Sequence, residues 1–204
     1  MSEHWDDVYA SKADTETSWF QPAPSTSLDL LDALGITANQ SVIDVGGGRS
    51  HLVDALVQRG HHDLTVLDIS AVALQAVQER LPHEAISRVL ADASAWEPQR
   101  TFDTWHDRAA FHFLTEPERR AGYFAAMRRA VHRDSIVVIA TFADDGPEQC
   151  SGLPVSRYSP EQLAATVSEG LQRSVELRVS RRVEHRTPWD AVQPFSWIGL
   201  VVTS

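Results

Sequence analysis

The chain has 204 residues, 43% of them hydrophobic and 23% charged, with a formal net charge of −10. Those values fit one globular domain with room for a core, and the acidic balance argues against binding a nucleic-acid backbone. No apolar run approaches the roughly 18 residues of a membrane span, the polar start is not that of a signal peptide, and the single cysteine, Cys150, excludes an internal disulfide framework and fits a reducing cytoplasm.

Residues 1–24 carry Trp5, Tyr9, Trp19 and Phe20 in polar sequence with Pro and Ser, and are expected to form an aromatic lid on a domain spanning 25–204. Leu28 to Leu34 has helical spacing and ends at Gly35, a good residue to follow a helix. Val42 to Val45 is a short β-branched run, hence a buried strand. Ser50 can cap a helix that runs to Gly60, and Leu64 to Ile69 is the second strand. Ser70 caps the next helix, which Pro82 stops, and Ile86 to Ala91 is a third strand. Phe102 to Asp107 makes a weaker fourth strand. Thr115-Glu-Pro-Glu118 reads as a capping box opening a helix to about Val131. Ser135 to Phe142 is the strongest strand, apolar on both faces and therefore central. Ser159-Pro-Glu-Gln162 is a second capping box. Two strands, about Val175 to Glu184 and Phe195 to Thr203, close the chain around a Pro188-Trp189 loop. Alternating strands and helices predict a single α/β domain, a mostly parallel doubly wound sheet of seven strands. The last two follow each other without a helix and should pair antiparallel.

The functional signal lies at the first two strand ends. Ser41-Val-Ile-Asp-Val-Gly-Gly-Gly-Arg-Ser50 is a strand running into a glycine turn that opens a helix, and Asp68 closes the second strand. A glycine turn lets a ligand approach the backbone, and an acid about 20 residues on can hold a ribose. Together they predict a nucleoside-containing cofactor at the carboxyl ends of the parallel strands. The bland alternative is a structural turn with Asp68 capping the next helix.

The element order with its terminal antiparallel pair resembles the class I S-adenosylmethionine-dependent methyltransferases, over about Ser25 to the end. The motifs carrying the resemblance are Asp44-Val-Gly46-Gly47-Gly48-Arg-Ser50, the strand-ending Asp68, Ala91-Asp92-Ala93 and Trp105-His106-Asp107-Arg108. Ser50 stands where the family has a third glycine. Residues 105–114 and 142–154 are similar to a small bacterial branch near the thiopurine-methyltransferase-like and protein-lysine-methyltransferase-like proteins.

The resemblance implies S-adenosylmethionine as cofactor, with S-adenosylhomocysteine as product. Gly46, Gly47 and Gly48 would lie against its amino-acid end, with Asp44 beneath. Asp68 would accept from the ribose, Ile69 would pack on adenine, and Asp92 and Ala93 would bind its edge. Trp19 and His106 would complete the cofactor site. His106, Asp107 and His112 are the candidate bases for an acceptor that must lose a proton. Trp5, Tyr9, Arg108, Phe111 and Tyr158 would contact the acceptor, with Arg108 either binding an acidic group or pairing with Asp107. A functional thiol at Cys150 is weaker than its reading as an inert small residue. His61-His62 lacks the spacing of a metal site, so no metal is expected.

The leading function is methyl transfer to a small molecule, with a thiol, a metalloid or a nitrogen or oxygen nucleophile all open. The alternative is a protein-lysine methyltransferase, for which the acidic surface would suit a basic partner. A cofactor-binding module without chemistry ranks lower. A nicotinamide dehydrogenase ranks lower still, because His51 replaces the small residue that close helix packing would need.

Overall fold

The computed structural model describes residues 2–204, so Met1 of the expected lid lies outside it. Seven strands form the main sheet: β1 (Val42–Val45), β2 (Leu64–Asp68), β3 (Ile86–Leu90), β4 (Phe102–Arg108), β5 (Val131–Phe142), β8 (Val175–Arg186) and β9 (Val192–Val202), with β6 (Gln149–Cys150) and β7 (Leu153–Pro154) in a separate hairpin. Sheet order is β3-β2-β1-β4-β5-β9-β8. The first five pair in parallel, and β9 enters antiparallel between β5 and β8. The expected fold class and terminal strand pair are therefore present. Strand order reverses at β1, where one neighbour is β2 and the other β4, and in open α/β sheets this is where ligands bind.

Alternation along the central strands divides the core into two layers. Ile43 and Val45 of β1 and Val137 and Ile139 of β5 face one side, with Tyr123 of α5 (Pro117–Ala130) and Leu163 of α6 (Pro160–Leu171). Val42, Ile136 and Val138 face the other, with α2 (Ser25–Ala33), α3 (Leu52–Gln58) and α4 (Ala71–Arg80). A sheet covered on both faces explains why β1, β2 and the second half of β5 are buried throughout and mostly apolar.

Several local expectations need correction. Residues Ser2–Ser11 form a helix, α1, whose Trp5 and Tyr9 sit one turn apart and are buried. Only two large buried side chains in a polar stretch give too weak a period to read. The Thr115 capping box does not form: Glu116 is the N-cap, and no side-chain cap bond is made. His51 rather than Ser50 precedes α3, although Ser50 Oγ accepts from the Leu52 N–H at 3.1 Å. The Ser159 box forms as expected, with both reciprocal bonds. Strand β5 begins at Val131, four residues early, and passes through Asp134 at φ +70. The β6–β7 hairpin turns at Ser151 and Gly152, both at positive φ, which suits a tight primed turn.

Candidate active site

The glycine turn follows β1 directly. Gly46 has φ +66 and Gly48 φ +49, backbone that L side chains rarely adopt. A Cβ at Gly46 would overlap Ala110, and one at Gly48 would overlap the Tyr9 hydroxyl. Beneath the turn, a Cβ at Gly47 would come within 2.7 Å of Asp44 Oδ2. That oxygen is buried with no hydrogen-bond partner among the described residues.

Beside the turn lies a cavity whose wall includes Gly46, Asp68, Ile69, Asp92, Ala93 and Arg119. The Asp68 carboxylate accepts from the Ser70 N–H at 2.8 Å, and the nearby Gly48 and Ile69 amides also favour its ionised form. Burial pushes its pKa up to about 6 against those amides. Asp92 accepts from Ser94 N at 2.9 Å and Ser94 Oγ at 2.6 Å, and pairs with Arg119 at 2.7 Å. Arg119, Tyr123 and the Ala109–Ala110 pair are wall residues that the sequence reading missed. Arg119 is one of several charges on a polar helix, and nothing in its spacing marks it.

The roof is aromatic. Trp5, Tyr9 and Trp19 line the cavity. Trp5 packs edge-on against Trp19 at 5.9 Å and Phe113 at 5.0 Å, and Tyr9 against Trp19 at 6.2 Å. Asp6 holds α1 in place, its Oδ1 accepting from Ser70 Oγ at 2.6 Å and from the Val72 amide at 3.3 Å. Arg49 lies over the Tyr9 ring at 5.6 Å. Burial and the neighbouring Asp68 raise the Tyr9 pKa well above its usual range, so its hydroxyl keeps its proton.

Other expected site residues are turned into the fold. His106 is buried beneath the sheet, Nδ1 at 2.7 Å from Asp44 Oδ1 and Nε2 at 3.0 Å from Ser27 Oγ. It sits opposite Asp44 in the β1–β4 register, so it ties two strands and α2 together. Asp107 points to the opposite face of β4, where it accepts from the Ala110 amide at 2.9 Å, the Phe111 amide at 3.1 Å and the Tyr123 hydroxyl at 2.7 Å. Burial lifts its pKa to about 6. His112 lies between Phe113 and Phe142, and burial drives it down to about 3, too weakly basic to take a proton near neutrality. None of these three lines the cavity. Phe111 and Tyr158 stack on each other at 5.9 Å against the α5–α6 core layer, away from the expected acceptor. Gly47 and Gly48 shape the turn from behind, and only Gly46 reaches the cavity surface. Cys150 is on the wall, but burial pushes its thiol up to about 11, so it is not a thiolate.

Arg108 ends β4 and faces the cavity instead of pairing with Asp107. Its Nη1 donates to the Trp19 carbonyl at 3.0 Å. Burial lowers its pKa.

Residues 42–134 match the family described as a methyltransferase domain. No curated protein matches the chain. Among solved structures, the chain is similar to 1,6-didemethyltoxoflavin-N1-methyltransferase of Burkholderia thailandensis, at 19% identity and TM-score 0.69, covering 100% of this chain and 84% of that one. It is also similar to the N-methyltransferase NodS of Bradyrhizobium japonicum (12%, TM-score 0.73, 100% and 99%). A third is the glycopeptide N-methyltransferase MtfA (13%, TM-score 0.66, 91% and 96%). At these identities the solved structures establish a shared fold.

Among the described residues no helix is long and apolar enough to cross a membrane.

Proposed function

We propose that the domain transfers a methyl group from S-adenosylmethionine to a small-molecule acceptor. The observation that carries this is one cavity whose wall has Asp68 and the glycine turn and whose roof is Trp5, Tyr9 and Trp19. Asp68, fixed by the Ser70 amide, keeps lone pairs for the two ribose hydroxyls. Ile69 and Ala93 offer an apolar slot for adenine, with Asp92 at its edge held by Arg119. The Asp44 oxygen lies buried beneath Gly47 and off the cavity wall, so Asp44 would act on the ammonium end only through the charge it places under the turn. The three relatives above are crystallised with S-adenosylhomocysteine or S-adenosylmethionine, which supports the same cofactor here.

The cofactor supplies an electrophilic sulfonium methyl. The chain's own part is alignment and exclusion of water, which suffices when the donor is already activated. The aromatic roof suits the positive sulfonium through its π-faces. His106, Asp107 and His112 are committed elsewhere, so the acceptor would present its lone pair without a protein base. Replacing His112 with Leu is expected to alter stability but not the pH profile of transfer. A shift in that profile would restore it as a base.

Residues 1–24 would act as the lid. Trp5→Ala should remove the contacts to Trp19 and Phe113 and speed S-adenosylhomocysteine release at least severalfold in stopped-flow displacement. An unchanged release rate would mean α1 is not a lid.

Labelled S-adenosylmethionine incubated with source-cell lysate tests the whole reading, with Asp68→Ala as control. Label among small molecules supports it, and label in one protein band replaces it with a protein methyltransferase. Protein modification stays the second reading because the chain carries a net charge of −10, which suits a basic protein.

A further inference from the structure

Arg108 stands where the internal spaces of the molecule meet. It lines the cofactor cavity beside Ala109 and Ala110. It also lines a more open groove between residues 20–26 and the β8–β9 pair, bounded by Phe20, Gln21, His185, Phe195 and Trp197. Among the described residues no other borders both.

The guanidinium is poorly satisfied for its position. Its one hydrogen bond goes to the Trp19 carbonyl, and among the described residues no carboxylate is within ion-pair distance. The acid that acts on it is Asp44, already bonded to His106. Arg108 is half-buried, a partly desolvated cation without a counter-ion carries a cost, and a planar fork of five donors fits a bidentate anion.

The rest of the groove agrees. Gln21 Oε1 is buried there with no hydrogen-bond partner, a polar end waiting on something the protein does not provide. His185 gives Nε2 to the Ser18 carbonyl and burial lowers its pKa, so it is neutral. Arg186 is paired with Asp190 at 2.9 Å. Among the described residues Glu184 is the one acid lining the groove. With Glu184 exposed and Arg186 paired, Arg108 is the groove's cation that lacks an ion pair among the described residues, between aromatic walls in a chain that is otherwise strongly acidic.

We infer that the groove is the acceptor site and that the acceptor is an aromatic or otherwise apolar small molecule bearing a carboxylate or similar anion, held by Arg108. This rests on the methyltransferase reading and narrows its substrate class. A lysine side chain, being cationic, would be repelled at the same point.

The test is ligand-observed NMR on the whole protein saturated with S-adenosylhomocysteine, whose own binding is measured first. Benzoate is expected to bind at least tenfold more tightly than benzamide, and benzylamine not at all. Arg108→Gln should weaken benzoate at least tenfold. Arg108→Lys should fall between, keeping the charge without the fork. Circular dichroism checks both variants, and the Lys variant carries the comparison if the Gln variant fails to fold. Benzoate and benzamide binding alike, no benzoate binding, or no effect of the substitutions would overturn the inference. So would displacement of S-adenosylhomocysteine by benzoate, which would assign Arg108 to the cofactor's own carboxylate. If S-adenosylhomocysteine itself does not bind, the cofactor reading is what has failed.

Discussion

Asp68→Ala is expected to weaken S-adenosylhomocysteine binding by about 10²- to 10⁴-fold, read by isothermal titration. The residue loses two hydrogen bonds to a charged acceptor, each worth about 1.5–3 kcal/mol. The same carboxylate predicts a pH dependence. Burial holds its pKa at about 6, and the ionised form is the one that accepts from both hydroxyls. Binding should therefore be present above that value and fall as pH drops through it. With about nine-tenths ionised at pH 7 and about one-tenth at pH 5, affinity should drop about tenfold. Asp68→Asn should be weak and flat over that range. If the wild-type protein were equally flat, Asp68 would not be the ribose acceptor, or would not titrate where its burial places it.

Asp107→Ala should cost about 3–5 kcal/mol of stability in urea unfolding. It removes the acceptor of the Ala110 and Phe111 amides and of the Tyr123 hydroxyl, and the last two are buried where water cannot replace it. For a chain of this length that lowers the Tm by about 10 °C. Methyl transfer per folded molecule should survive, because Asp107 does not reach the cavity. A variant of normal stability without activity would reverse that assignment. Asp107 and Asp68 also set a sign for the intact protein. Both have folded pKa values near 6, above an ordinary carboxylate. The native state thus holds these protons more tightly than the unfolded chain between about pH 4 and pH 6. Their contribution to stability falls as pH rises through that window and levels off above it.

Motif wording and three-dimensional direction part company at β4. Trp105, His106, Asp107 and Arg108 read as four polar or amphipathic residues in a row at a pocket edge. In a strand their side chains alternate faces. Trp105 and Asp107 go to the α5 side, His106 goes to the α2 side, and Arg108 emerges at the strand end. The run marks the right place in the sheet, yet one of its four residues reaches the cavity. Phe111 and Tyr158 were similarly legible as aromatics near the site, but they satisfy each other in the core.

What the sequence determined by itself was the architecture and the cofactor end of the site. Strand and helix periodicities, turn glycines and strand-ending acids are local signals, and a doubly wound sheet must bring Gly46, Asp68, Ile69, Asp92 and Ala93 to one edge. Tertiary structure decided the roof and the acceptor side. That α1 exists, that Asp6 pins it to α4, and that Arg119 holds Asp92 are contacts between elements far apart in the chain. The isolation of Arg108 is of the same kind. Whether a charge is paired depends on which partners other elements bring near it, and no spacing along one strand encodes that.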